Sequence, residues 1–133
     1  MPDYTVKRFD EMEPILGGAM LRTRASLGVS SFGMQIMNFT PNFGDFYPNH
    51  DHAESGQEEV YLILDGAADF NIDGDHVHLE PNMALRVGAE SKRKISTGEE
   101  GARILALGGT PGAAYVAPEF TVLGGPDPTP PGQ

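Results

Sequence analysis

Residues 50–66 read HDHAESGQEEVYLILDG. The run from Glu59 to Leu64, closed by Asp65-Gly66, is rich in aliphatic, β-branched and aromatic residues and predicts a strand. In an extended chain alternate side chains share a face, so Glu59, Tyr61 and Ile63 line one side and Val60, Leu62 and Leu64 the other. The same parity holds upstream, where His50 and His52 are two apart and can aim both imidazoles at one point. A carboxylate heading a buried strand is costly unless something offsets its charge.

Outward from this strand the pattern repeats. AADFNIDGDHVHLEP (67–81) places Asp73-Gly74 between two alternating runs, the strongest short-range signal for a hairpin. Further strands are expected at 4–9, 19–29, 32–40, 83–87, 92–96 and 102–109, with turn residues between them. Short strands at this spacing predict an all-β sandwich or barrel. The 17 Gly and 11 Pro in 133 residues leave little room for long helices. The length suits one domain, read as a barrel over 1–112 followed by a C-terminal extension, 113–133, whose GGPDPTPPGQ end is expected to be flexible.

The charge balance narrows the partners. With 19 acidic and 9 basic side chains the net charge is −10, which repels a nucleic-acid backbone or an anionic membrane. There is no cysteine, so disulfides and thiolate metal sites are excluded and any metal must use histidine and carboxylate. The N-terminal MPDYTVKRFDEMEP has acids where a secretion signal needs a basic and then an apolar segment, and no apolar run reaches the roughly 18 residues of a membrane span. A cytoplasmic protein is expected.

His50, His52 and Glu59 together are a two-histidine, one-carboxylate set. It suits Fe(II) with open positions and also accommodates Mn, Ni or Zn. An isolated His-x-His is a weak motif, and this one is flanked by Asp51 and Glu54, as a surface loop would be. His76 and His78 alternate with Val77 and Leu79, the core-facing pair of their strand, so both imidazoles are expected to point outward. Met20, Met34, Met37 and Met83 are expected to pack in the barrel.

The run GDFYPNHDHAESGQEEVYLILDG (44–66) resembles the first signature of the cupins. In that signature a Gly precedes His-x-His and a Glu precedes a closing Gly; Gly44, His50, His52, Glu59 and Gly66 fill those places. The resemblance implies a single-domain jelly-roll β-barrel, a divalent metal on His50, His52 and Glu59, and a homodimer. Two departures stand out. Six residues separate His52 from Glu59, more than the family's usual three or four, so the AESGQ loop must bulge, and Glu58 or Glu54 can stand in for Glu59. The second signature ends in a histidine, the fourth ligand, and here that place aligns with Arg93.

A guanidinium has no lone pair and cannot ligate a metal. Two functions follow. In one, three ligands keep a metal and Arg93 clamps an anionic substrate, with Tyr61, Ile63 and Tyr47 lining the ligand site; oxygenase, isomerase or lyase chemistry on a small organic molecule is then expected. In the alternative, Arg93 neutralises Glu59 and a metal-free, non-catalytic barrel binds a small molecule or a protein partner.

Overall fold

The computed structural model of the protein describes residues 2–44 and 48–128. Among these, seven antiparallel strands form: β1 (Pro14–Ile15), β2 (Met20–Leu21), β3 (Gly33–Phe39), β4 (Glu58–Ile72), β5 (Asp75–Leu79), β6 (Ala84–Val87) and β7 (Arg93–Gly109). They join in the order β1-β2-β3-β7-β4-β5, with β6 also on β4. The result is a jelly-roll barrel that is not strictly closed. Among the described residues, no helix is long and apolar enough to cross a membrane.

Two long strands build both halves of the barrel. The first half of β4 pairs with the last half of β7 (Glu58↔Gly109 to Ile63↔Ile104), and its second half pairs with the start of β7 (Ala68↔Thr97 to Ile72↔Arg93). The register shifts at Leu64 and Ala67. A bulge inserts an odd residue and flips the parity of the strand, so the buried positions change from Tyr61 and Ile63 to Ala68 and Phe70. On β7 the buried set changes likewise, from Arg93, Ile95 and Thr97 to Ala102, Ile104 and Ala106. The expected strands at 92–96 and 102–109 are thus one strand bent at its middle.

The corner of the bend is too crowded for side chains. Gly66 has φ +75°, and a Cβ there would lie 2.2 Å from the Gly101 carbonyl oxygen. Gly66→Ala is expected to cost about 2 kcal/mol, visible as a lower urea midpoint at unchanged m. The predicted hairpin forms at Asp73-Gly74, both at positive φ (49° and 96°) as a type I′ turn requires.

One core cluster fills the barrel, including Met37, Phe39, Tyr61, Ile63, Phe70, Leu79, Val87, Ile95 and Ile104. A second, Met12, Leu21 and Ile36, covers the outer face of β3. Met83 is 45% exposed and does not pack as expected.

The N-terminal third departs from the strand reading. Residues 4–8 are irregular and exposed, and one 3₁₀ turn, Phe9–Glu11, follows. The 19–29 segment pairs with β3 at Met20 and Leu21, with the Asn38 amide donating to the Ala19 carbonyl (2.9 Å), then becomes a helix, α1 (Thr23–Leu27). Side chains replace the ladder there: the Ile36 amide donates to the Thr23 hydroxyl (3.0 Å) and the Thr23 amide to Gln35 Oε1 (3.0 Å). The β3 edge is satisfied while the chain turns away, and Gly28 closes the helix in the left-handed region.

The C-terminal extension is docked at least as far as Asp127, contrary to the flexible end expected from GGPDPTPPGQ. Arg22 is 2% exposed. Its Nε donates to the Phe120 carbonyl (2.8 Å) and its Nη2 to the carbonyls of Gly125 (3.0 Å) and Pro126 (3.2 Å), while Nη1 pairs with Glu13. The Leu16 amide donates to Asp127 Oδ1 at 3.1 Å. Proline-rich sequence lacks apolar anchors, but its carbonyls remain acceptors, and a buried guanidinium collects them. Residues 129–133 lie outside the described residues.

Candidate metal centre

The two histidines are held by the start of β7 and by the turn that precedes it. The His50 amide donates to the Arg93 carbonyl (3.0 Å), the Arg93 amide to the His50 carbonyl (2.8 Å), and the His52 amide to Ala89 (2.8 Å). This pairing makes the segment extended and sets both rings on one side, edge to face with centroids 5.1 Å apart. Glu59 reaches the same place from β4, in the opposite half of the barrel. The long AESGQ connection is absorbed in a turn, closed by the Gly56 amide on the His52 carbonyl (2.8 Å) and anchored by the Thr110 hydroxyl on the Ser55 carbonyl (3.2 Å).

His50, His52 and Glu59 each present one ligand atom, all within 4.8 Å of one another. Ligands at roughly 2.0–2.2 Å from one ion converge in this way. His50 Nδ1 lies 3.0 Å from the Pro48 carbonyl; a carbonyl can only accept, so Nδ1 carries the proton and Nε2 keeps its lone pair, the arrangement seen when a backbone group orients a ligating histidine. Glu58 points elsewhere and pairs with Arg86 at 2.9 Å, and Glu54 is exposed. Glu59 is therefore the carboxylate of the group that could hold a metal.

Arg93 is fully buried. Its Nη1 donates to Glu59 Oε1 at 2.7 Å, and its Nη2 to the carbonyls of Gly88 (2.8 Å) and Ser91 (2.7 Å). The same Glu59 oxygen accepts from the Tyr61 hydroxyl (2.7 Å) and faces His52 Nε2 at 2.9 Å. Burial is the largest influence on the Glu59 carboxyl and pushes its pKa up; the hydrogen bonds from His52 and Tyr61 and the charges of His52 and Arg93 together outweigh it, so the group is held below its ordinary value. The donor set fits a divalent cation, which would have to share this carboxylate with a permanent positive charge.

Of the other expected site residues, Tyr61 touches the centre through its hydroxyl. Ile63 is two residues deeper along β4, 4% exposed within the core cluster, and serves packing. Tyr47 lies outside the described residues. His76 and His78 do point outward, both against Asp69 (3.2 and 2.8 Å). Sequence reading missed the Gly88 and Ser91 carbonyls that hold Arg93, since backbone acceptors leave no residue-type signal.

No protein-family model and no curated protein matches the sequence. Solved structures do match. A cupin protein from Bacteroides fragilis aligns with a TM-score of 0.64 at 22% identity, over 89% of this chain and 93% of that one. A sugar phosphate isomerase of the cupin superfamily from Silicibacter pomeroyi aligns at 0.65 and 15% identity, over 86% and 83%. The Cupin_2 domain of an XRE family transcriptional regulator from Enterobacter cloacae aligns at 0.54 and 16%, over 63% and 86%. The chain has the cupin fold, as its first motif implied.

Proposed function

We propose that this chain is a metal-binding cupin in which His50, His52 and Glu59 hold one divalent cation and a small organic ligand binds beside it at the barrel mouth. The supporting observation is the convergence of three ligand atoms from opposite halves of the barrel. When bound, such a cation would polarise an oxygen of the ligand. The chain's own groups set the stage: Arg93 and Tyr61 keep Glu59 ionised and fixed in place, and the Pro48 carbonyl keeps His50 in the tautomer that ligates. Fe, Mn, Ni and Zn all suit the donor set. Oxygenation, isomerisation and lyase chemistry are the reaction classes considered; the Silicibacter neighbour, named a sugar phosphate isomerase, favours isomerisation among them.

Adding Mn(II), Fe(II), Ni(II) or Zn(II) to chelator-treated protein is expected to raise the melting temperature, by mass action worth about 2.7 kcal/mol at a hundredfold excess over Kd. His50→Ala with His52→Ala should abolish the response. If no cation moves the wild-type melt, the metal reading is wrong. The 2.7 Å Arg93–Glu59 pair favours a second reading, a metal-free binding barrel, for which that silent titration is the expected result. In either case a homodimer pairing exposed strand edges is proposed, and sedimentation velocity gives the mass that tests it.

A further inference from the structure

The β4–β5 hairpin carries a second cluster of ligand-bearing side chains, on the face turned away from the core. Ala68, Phe70 and Leu79 are its buried residues, so by parity Asp69 and Asn71 on β4, and His76 and His78 on β5, stand on the outer face. The register pairs Asp69 with His78 and Asn71 with His76. His76 is thereby diagonal to Asp69, within reach of an aromatic side chain. Both imidazoles turn to one carboxylate oxygen: His78 Nδ1 lies 2.8 Å and His76 Nε2 3.2 Å from Asp69 Oδ1. The other nitrogen of His78, Nε2, lies 3.4 Å from Glu80 Oε2.

Two features set this cluster apart from an ordinary surface ion pair. Two rings meet on a single oxygen, and the far nitrogen of His78 faces a second carboxylate. A ligating histidine is held in this way, with one ring N–H donated to a carboxylate while the other nitrogen faces the ion. The charge surroundings also differ from those of Glu59, which bonds directly to Arg93 at 2.7 Å. Asp69 is paired across the sheet with His78 and Ser96, and Lys94 is only diagonal to it, opposite Asn71. The ligand atoms of the barrel group already lie within 4.8 Å of one another. On the hairpin the carboxylate oxygen stands between the two rings, so closing on an ion takes a turn of the His76 ring, for which its 69% exposure leaves room.

We propose that Asp69, His76 and His78 form a second metal site, on the outer surface of the barrel, which takes Zn(II), Ni(II) or Cu(II) with Glu80 orienting His78. Imidazole ligands favour these ions over Mg(II) and Ca(II), which prefer oxygen alone. The site does not depend on the barrel centre. Its three ligands stand on exposed strands and leave the remaining positions to water, so its affinity is micromolar rather than tighter, and at lower cation concentrations the centre alone responds.

The test titrates Zn(II) into the full-length, untagged His50→Ala/His52→Ala variant, which removes competition from the centre. The ¹⁵N resonances of the histidine rings are followed by NMR, and bound metal is counted by equilibrium dialysis. His76 and His78 should shift together and saturate at one Zn(II) per chain, while Mg(II) leaves both in place. The wild type should show the same shifts at His76 and His78 whether or not its centre binds, which keeps this site distinguishable from the function proposed for the barrel. Asp69→Asn and His76→Gln should each weaken Zn(II) binding about tenfold or more, with the spectrum of the metal-free protein otherwise retained, and Glu80→Gln should weaken it by about tenfold. The proposal is overturned if Zn(II) moves neither ring or only one, if Mg(II) moves them as Zn(II) does, or if Asp69→Asn and His76→Gln bind as their parent does.

Discussion

Arg93→Met is expected to destabilise the protein by about 3 kcal/mol, a fall in melting temperature of roughly 10 °C for a chain of this size. The variant keeps the length and apolar stem of the side chain, so the loss reports the guanidinium. Glu59 would stay mostly buried without its counter-charge, and the Gly88 and Ser91 carbonyls would lose the donor they share. The hydrogen bonds from Tyr61 and His52 remain and limit the cost. Combining it with Glu59→Gln should cost less than the sum of the single changes, because the double variant buries no unpaired charge. Equal and additive losses would show that the two side chains do not act as a pair. Arg93→His adds a further readout: in the metal-binding reading it supplies a fourth ligand, so its melting temperature should rise more steeply with added cation than the wild type's.

The second large effect is expected at the opposite end of the sequence logic. Arg22→Met should cost about 3 kcal/mol, because the carbonyls of Phe120, Gly125 and Pro126 converge on that guanidinium. Removing residues from Glu119 onward should also lower the melting temperature, though by less, since it exposes Arg22 to water instead of stranding its acceptors. Limited proteolysis separates the outcomes: in Arg22→Met the 119–128 segment should be cut faster than in the wild type, while the barrel stays intact. Unchanged cleavage would mean that Arg22 does not hold the extension.

Both predictions concern arginines whose surroundings the sequence could not show. Near Arg93 the ambiguity was one of chemistry: a guanidinium in the place of a ligand is equally compatible with a substrate clamp and with a structural ion pair. The fold resolved part of it by placing Arg93 against Glu59 and two backbone carbonyls. Near Arg22 the reading failed because proline-rich sequence was judged by its apolar content, and the anchoring groups are carbonyls, which every residue carries. Thr23 and Gln35 are a similar case. Their side chains stand in for ladder hydrogen bonds, so a segment that reads as a strand can turn into a helix without leaving the β3 edge unsatisfied.

Periodicity and local turn chemistry settled the rest. The alternation of Glu59, Tyr61 and Ile63, the Asp73-Gly74 turn and the parity of His50 and His52 are properties of neighbours within a few residues, and they required strands, a hairpin and a paired set of imidazoles wherever the chain went. Which groups then faced one another depended on contacts between residues dozens of positions apart. Glu59 meets Arg93 because two long strands bend at Gly66 and Gly101 and bring opposite ends of the sheet together. The Tyr115 hydroxyl and the Gln57 amide reach the interior face because the register sets glycine at 33 and 108. Local sequence determines which way a side chain points; only closure of the barrel determines what it points at.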